Sequence, residues 1–318
     1  SIADNQAIVV DGTLPTVLAV SSSNANGTYG LGDTITVQVT FSEAVTVTGT
    51  PFITLELGGV DKNATYVSGS SSTTLTFSHV VSTGDTSADL DYTTSTALSS
   101  STGSIQDTAG NDATLTLANP AALNSISDNQ AIVIDTSAPQ VLAVISTNAD
   151  GTYGLGDTVT VQVGFSKAVS VTGTPYITLE LGGVDKNATY VSGSSSTTLT
   201  FSHVVSTGDT SADLDYVATN SLNLNAGTIK DQWGTDAVLT LAAPAAINSI
   251  SDNQAIVIDG TLPTVLSVSS PVSNGTYGVG QVITVHVTFS EPVTVTGTPY
   301  ITLDMGVTDK NATYVSGS

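Results

Sequence analysis

The sequence predicts an all-β protein built from tandem antiparallel β-sandwich domains, and three observations support this prediction. Apolar and polar residues alternate with a period of two in segments such as TITVQVTF at 34–41. Clusters rich in Gly, Ser, Asn and Asp, which favour turns, separate these segments. The whole pattern also returns at an offset of 124 residues, as from Asp11 to Asp135, which indicates repeated domains.

The repeat unit sets the predicted domain boundaries. The segment ADNQAIVVD at 3–11 returns, with one exchange at its first position and one near its end, as SDNQAIVID at 127–135 and 251–259. We therefore predict the C-terminal strand of a preceding repeat at 1–11, complete repeats at 12–135 and 136–259, and the N-terminal half of a further repeat at 260–318. We call 12–135 the first repeat and 136–259 the second repeat. Because the copies are nearly identical, a shared residue is weak evidence of function, whereas a replaced residue shows what one copy can lack.

The strands of a repeat follow from the alternation and from β-branched and aromatic composition. In TITVQVTF, the side chains from Ile35 to Phe41 at every second position are predicted to face the core. Further predicted strands of the first repeat are FITLEL at 52–57, ATYV at 64–67, TTLTFSH at 73–79, ATLTL at 113–117 and AIVID at 131–135. About seven short strands with one apolar face each are typical of an immunoglobulin-like sandwich. The Cys–Trp–Cys core of antibody domains is absent, since Trp233 falls in a predicted loop where the other copy has Ala109.

The charge of the chain excludes several classes of function. The formal net charge is −22, with five basic residues, all lysine. Nucleic-acid phosphates and anionic membrane surfaces are bound by Lys and Arg, so we expect neither partner. The 23 Asp against 4 Glu favour turns and oxygen-ligand cation loops over general solubility. The chain has no cysteine and no run of 18 apolar residues, so we expect neither disulfides nor membrane insertion in this segment.

Four motifs resemble a known family of bacterial surface repeats. They are D-x-x-x-P-x-V at 11–17, 135–141 and 259–265, Y-x-x-G-D at 29–33, F-S-E-A-V at 41–45 and D-T-A-G-N at 107–111. In this order and spacing they are similar to the immunoglobulin-like repeats of giant adhesins, RTX-type fibre proteins that type I secretion often exports. The resemblance implies an extracellular location on the bacterial surface and a calcium-stiffened stalk, with neighbouring repeats of the same chain as partners. The alternative is a self-assembling subunit of a filament, sheath or surface layer, with other copies of the chain as partners.

The segment GDTSADLDY at 84–92 is the first candidate metal site. If LDY forms a strand, Leu90 and Tyr92 face inward and Asp89 and Asp91 share the outer face, roughly 7 Å apart at ~3.3 Å per residue. Asp85 would fold back toward them from the preceding loop. Carboxylates at this spacing suit Ca²⁺, which takes ~6–8 oxygen ligands. The predicted ligands in the two copies are Asp85, Asp89 and Asp91, and Asp209, Asp213 and Asp215.

The junction between repeats is the second candidate metal site. A short linker begins after the predicted strand that ends each repeat, and carboxylates from that repeat are expected to face the loops of the next one. A cation held there would fix the angle between repeats, although Asn129 is also explained as the cap of a turn. The predicted ligands are Asp128, Asn129 and Asp135 in one copy, Asp252, Asn253 and Asp259 in another, and Asp4, Asn5 and Asp11 at the start of the chain.

The resemblance implies a third set of ligands. Comparison between the copies supports some members of this set and argues against others. This set is Asp33, Glu43, Asp107 and Asn111. Glu43 is replaced by Lys167, Asn111 by Thr235 and Asp33 by Gln281, and a lysine does not bind a cation, so Glu43 and Asn111 are interpreted as surface or turn positions. Asp107 keeps its carboxylate at Asp231, and both stay candidate ligands.

No motif in the sequence indicates catalysis. The three histidines are not next to a nucleophile motif, and His79 continues the inward face of Leu75 and Phe77. Paired carboxylates such as Asp89 and Asp91 are used by glycosidases, but no aromatic residues that would hold a sugar accompany them. We therefore expect a structural protein and not an enzyme.

Overall fold

A computed structural model describes residues 9–317, and within this range the chain is all-β. The elements of the first repeat are β1 Val17–Ser22, β2 Gly27–Tyr29, β3 Thr34–Thr48, β4 Phe52–Leu55, β5 Lys62–Ser68, β6 Ser72–Val80, β7 Thr86–Ser87, β8 Leu98–Ser99, β9 Ser104–Gln106, α1 Ile126–Asn129 and β10 Ile132–Asp135. Those of the second repeat are β11 Val141–Ser146, β12 Gly151–Gly154, β13 Thr158–Thr172, β14 Tyr176–Leu179, β15 Lys186–Ser192, β16 Ser196–Val204, β17 Thr210–Ser211, β18 Leu222–Asn223, β19 Thr228–Lys230, α2 Ile250–Asn253 and β20 Ile256–Asp259. The remaining strands are β21 Val265–Ser269, β22 His286–Phe289, β23 Tyr300–Leu303 and β24 Lys310–Thr313.

Both repeats have the same two sheets. In the first repeat the larger sheet has the order β1-β3-β6-β5-β4-β8, with β9 also paired to β3, and the smaller sheet has the order β2-β10-β7. The second repeat gives the matching orders, β11-β13-β16-β15-β14-β18 with β19 on β13, and β12-β20-β17. The pairing is antiparallel except between β2 and β10 and between β12 and β20, which are parallel. The sequence does not predict these parallel pairs, because each joins strands more than 100 residues apart.

Each repeat has its own apolar core, as the alternation predicts. The burial of β3 alternates along its first half, and Ile35, Val37, Val39 and Phe41 are at most 1% exposed. Leu75 and Phe77 of β6 are fully buried too. They lie on the same face as these residues, since Leu75 pairs with Val39 and Phe77 with Val37. The side chains of this cluster all come from the first repeat, and the second repeat supplies a separate cluster.

Strand β3 changes partner halfway along its length, and this bend positions the candidate site. Its first half pairs with β6 up to Thr40, the register then shifts before Val45, and Thr46–Thr48 pair with β9. Such an irregularity bends a strand and re-aims the side chains within it. Glu43 lies within this irregular stretch, and Lys167 lies at the same place in β13.

Residues 260–317 form two separate strand pairs, β21 with β22 and β23 with β24. Their apolar side chains stay largely exposed, with Val265, Leu266 and Val268 each more than half exposed. Among residues 9–317, no helix is long and apolar enough to cross a membrane.

Candidate functional site

The candidate site lies at the start of each repeat, where three chain segments meet. We call this place a joint: the first joint contains Asp11, Glu43 and Asp107, and the second joint contains the matching residues Asp135, Lys167 and Asp231. In each joint the first residue precedes the linker, the second lies in the bend of the long strand, and the third follows a short strand paired to that strand's second half.

The linker is tied to the repeat that follows it. Asp11 caps the first turn of the linker, since its Oδ1 accepts hydrogen bonds from the amide and the hydroxyl of Thr13 at 3.0 and 2.7 Å. Further along, the carbonyl of Pro15 accepts from Thr114 N at 2.8 Å and the carbonyl of Thr16 accepts from Ser42 N at 2.8 Å. These bonds hold Asp11 against the bend that contains Glu43.

In the first joint the three carboxylates converge. Ligand atoms of Asp11, Glu43 and Asp107 lie within 4.8 Å of one another, and this is the only such group of three acidic, histidine or cysteine side chains within residues 9–317. Asp107 is buried, Glu43 is half-buried and Asp11 is exposed. Three carboxylates this close repel one another unless a cation compensates them. Their hard oxygen atoms fit Ca²⁺ in type.

Asp107 is held in place by its own turn. Its Oδ1 accepts hydrogen bonds from Ala109 N and Asn111 N, both at 2.8 Å, and its Oδ2 accepts from the side-chain amide of Asn111 at 2.7 Å. Burial raises the pKa of Asp107, but the hydrogen bonds from Asn111, Ala109 and Gly110 outweigh burial and lower it. The same Asn111 amide donates to the carbonyl of Asp11 at 3.2 Å, so it bridges two residues of the joint.

In the second joint an ammonium group joins the carboxylates. Lys167 Nζ lies 2.7 Å from Asp135 Oδ2 and donates to the carbonyl of Ser137 at 2.6 Å. Burial raises the pKa of Asp135, but hydrogen bonds from Lys167 and Ser137 outweigh burial and lower it. Asp231 is 5% exposed, and among the described residues its Oδ2 has no hydrogen-bond partner. This carboxylate and Lys167 line one cleft of about 290 Å³.

Trp233 attaches the second repeat to the first. Its indole nitrogen donates to Asp33 Oδ2 at 2.8 Å, and its ring covers Gly30, which is buried. Asp33 Oδ2 also accepts from Gly30 N at 2.9 Å, so the carboxylate holds its own turn and the indole together. Position 109 of the first repeat is Ala, so this contact belongs to the second joint alone.

Gly30 is predicted to be the only residue that the indole tolerates at this position. A Cβ built on Gly30 would lie 2.2 Å from Trp233 Cδ2, whereas a Cβ on the equivalent Gly154 meets only Asp259 O, at 3.7 Å. We therefore expect Gly30→Ala to displace the indole, shift tryptophan emission to longer wavelength and increase quenching by acrylamide. Gly154→Ala is the matched control and is expected to leave emission unchanged; equal spectra for both variants would contradict the contact.

The first predicted metal site is not brought together as expected. Asp85 is 1% exposed, and its Oδ2 accepts hydrogen bonds from His79 Nε2 and Ser82 N, both at 2.8 Å, and from Ser82 Oγ at 3.0 Å. Burial raises the pKa of Asp85, but the bonds from Ser82 and His79 outweigh burial and lower it. Asp209, His203 and Ser206 repeat this arrangement in the second repeat.

Asp91 is also engaged by the protein, and its predicted position on the outer face of a strand is wrong. It is 7% exposed, whereas Asp89 is exposed. Leu90 and Tyr92 are buried as predicted, but residues 90–92 make only an isolated bridge at Tyr92, so strict alternation does not apply. Asp91 Oδ2 accepts from Ala121 N at 2.9 Å and Ser127 Oγ at 2.8 Å, and Oδ1 accepts from Tyr92 N at 2.9 Å and Ile126 N at 3.3 Å.

Asp215 is engaged in the same way in the second repeat, through Tyr216, Ala245 and Ser251, and Asp213 is exposed there. A cation at this segment therefore stays a prediction. The carboxylates that the structure leaves accessible for it are those of Asp89 and Asp213.

The second predicted metal site is divided between two places. Asp128 and Asn129 lie in α1, where Asp128 Oδ2 accepts from Asn124 N at 2.9 Å. The Asn129 amide donates to the carbonyls of Val20 and Ser125 at 2.9 and 2.8 Å. Asp135 is the last residue of β10, which is about 10 Å long at ~3.3 Å per residue, so it lies at the joint and away from this helix.

Asp252, Asn253 and Asp259 follow the same pattern, since Asp252 accepts from Asn248 and Asn253 donates to Ser249. Asp11 takes part in the first joint, while Asp4 and Asn5 lie outside the described residues. Of the ligands predicted at the junction, the structure therefore places Asp11 and Asp135 at joints.

Sequence reasoning missed three features of this region. It interpreted Glu43 as a surface position because Lys167 replaces it, although Lys167 faces Asp135 and so marks the position as charged. It did not pair His79 with Asp85, six residues away, and it treated Trp233 as a loop residue without a partner. The sequence does contain a signal for the first feature. Lysine is rare in this chain, which has five basic residues, so the exchange of Glu43 for Lys167 marks this position as unusual.

No protein-family model matches the chain, and no curated protein matches it in sequence.

Proposed function

We propose that this chain is a structural segment of a large secreted adhesin on a bacterial surface, in which immunoglobulin-like sandwiches form a rod and calcium stiffens the joints. The observation that carries the proposal is the convergence of Asp11, Glu43 and Asp107 beside the linker. A cation bound there would connect Asp11, which precedes the linker, to two segments of the repeat after it. The angle between neighbouring repeats would then be fixed.

The arrangement of the two repeats supports a spacer function. Each repeat has a separate core, and the linker between β10 and β11 is short, so neighbouring cores are held close together. Repeats of this kind contact mainly their neighbours, and the length of an array grows with their number. The formal charge of −22 is partly offset by any divalent cation that the joints bind.

The second candidate function is assembly into an extracellular filament, sheath or surface layer. It is favoured by the edge strands of the larger sheets, such as β1 and β8, which other chains can extend. In this alternative the partners are other copies of the chain and not only neighbouring repeats.

Sedimentation of a protein comprising residues 1–259, which keeps Asp11 and holds both cores, separates the two functions. A stalk module is expected to stay monomeric over a wide range of concentration, with or without calcium. A filament subunit is expected to form larger species as concentration rises. Concentration-dependent growth would contradict the spacer proposal, and a monomer at every concentration would contradict assembly through these repeats.

A further inference from the structure

The two joints differ in charge by the amount that one divalent cation carries. Asp11, Glu43 and Asp107 have a formal charge of −3, whereas Asp135, Lys167 and Asp231 have a formal charge of −1. A single exchange of Glu for Lys accounts for this difference of two units. The position of the exchange lies in the bend of the long strand in both copies.

The contacts of Lys167 are those that a bound cation would make. Its ammonium group contacts the Asp135 carboxylate at 2.7 Å and the Ser137 carbonyl at 2.6 Å. Carboxylate and backbone carbonyl oxygens are also the ligands of calcium in proteins. The side chain of Lys167 is 19% exposed, so the ammonium is partly shielded from water and its attraction to Asp135 is stronger than that of an exposed pair.

The second joint also contains a buried carboxylate with one oxygen that a positive charge could compensate. Asp231 is 95% buried, and among residues 9–317 its Oδ2 accepts no hydrogen bond, although its Oδ1 accepts from Trp233 N and Thr235 N. Asp231 lines the same cleft as Lys167 and Asp135. A buried carboxylate oxygen without a donor is costly unless a nearby charge compensates it.

We infer that the second joint is locked without a metal ion, because the Lys167 ammonium takes the place that a divalent cation takes in the first joint. The residue at this one position in the bend then decides whether a joint depends on calcium: Glu gives a dependent joint and Lys an independent one. This inference rests on the proposed calcium-stiffened joints. It predicts a rod that keeps its angle at the second joint when calcium is scarce and loosens at joints such as the first.

Trp233 supports the independence of the second joint. The indole bonds Asp33 of the first repeat at 2.8 Å and covers Gly30, so a second contact holds the two repeats together beside the ion pair. The first joint has Ala109 at this position. The copy with the lysine therefore also has the aromatic contact.

The test is a charge exchange in the full 318-residue chain, with Tb³⁺ as the probe. Trp233 is the only tryptophan and lines the cleft with Lys167, so a Tb³⁺ ion bound in the second joint is sensitised by the indole. Excitation at the red edge of tryptophan absorption avoids tyrosine. We expect Lys167→Glu to bind Tb³⁺ with sensitised emission, at least about tenfold more tightly than the wild type at this joint, and Ca²⁺ to displace it.

The matched control is Lys186→Glu, which makes the same change in net charge at the first residue of β15 in the same repeat. It is expected to give no sensitised emission. Equal emission from the wild type or from the control would overturn the inference, since the lysine would then not decide binding. Silence from Lys167→Glu, with its fold verified by circular dichroism, would also overturn it.

The reciprocal variant keeps the inference testable if Lys167→Glu does not fold. Glu43→Lys is expected to abolish calorimetric Ca²⁺ binding at the first joint while leaving the chain folded in the presence of chelator. Retention of this binding would overturn the inference. Wild-type binding that depends on Glu43, together with a silent Lys167→Glu, would contradict the inference alone. The absence of any Ca²⁺ binding to the wild type would contradict the proposed joints and the inference with them.

Discussion

Replacing Asp91 with alanine is expected to destabilise the first repeat by about 3 kcal/mol, because the buried carboxylate is the acceptor for four donors. Three backbone amides and the Ser127 hydroxyl point to its two oxygens at 2.8–3.3 Å. The substitution would leave these donors without partners in a site that is 7% exposed. The carboxylate therefore joins the segment 119–127 to the core, and its function is structural.

Urea unfolding of a protein comprising residues 12–259 measures this effect. Circular dichroism follows both repeats, whereas the emission of Trp233 reports on the second repeat and its joint. We expect Asp91→Ala to shift part of the circular dichroism transition to lower urea. Asp89→Ala is the matched control, since Asp89 is exposed two residues away, and its expected change is within about 0.5 kcal/mol. Identical curves for the two variants would show that the Asp91 carboxylate is not needed for folding.

Removal of calcium is expected to lower the melting temperature of the first repeat by roughly 10 °C. A ligand that binds only the folded state at a concentration of about 100 times its Kd adds about 2.7 kcal/mol, and about 1 kcal/mol moves the melting temperature of a domain of this size by roughly 4 °C. The proposed ligand is an ion held by Asp11, Glu43 and Asp107 in the 318-residue chain. Scanning calorimetry with calcium and then with excess chelator gives the difference directly.

Glu43→Gln separates the first joint from other sources of calcium stabilisation. It removes one carboxylate from the first joint and is expected to abolish most of the chelator effect. Asp89→Asn removes one carboxylate of the GDTSADLDY segment and is expected to keep the effect. The opposite result, with sensitivity lost in Asp89→Asn and kept in Glu43→Gln, would place the ion in that segment and not at the first joint.

The strands were predictable because burial on one face of a sheet imposes a period of two. Ile35 to Phe41 in β3 and Leu75 and Phe77 in β6 are buried as the alternation requires. The same reasoning failed at Asp91, where three consecutive residues are buried because the chain there makes an isolated bridge and not a strand. A carboxylate satisfied by distant backbone amides leaves no pattern along the sequence.

The joint was predictable only in part, because its residues are brought together by pairing across long distances. The aspartate that recurs before each linker was predicted to lie at the junction, and Asp11 and Asp135 do so. Glu43 reaches the joint because β3 bends there and changes its pairing partner from β6 to β9. The period of two in the sequence does not reveal this change. The pairing of Trp233 with Asp33, 200 residues apart, has no local signal either.

An anomalous difference map from crystals of the 318-residue chain soaked in a lanthanide that occupies calcium sites tests the central claim most directly. The account predicts a peak between Asp11, Glu43 and Asp107, and Lys167 Nζ against Asp135 without a peak at the second joint. A peak beside Lys167, or peaks confined to the GDTSADLDY segments with none at the first joint, would contradict it.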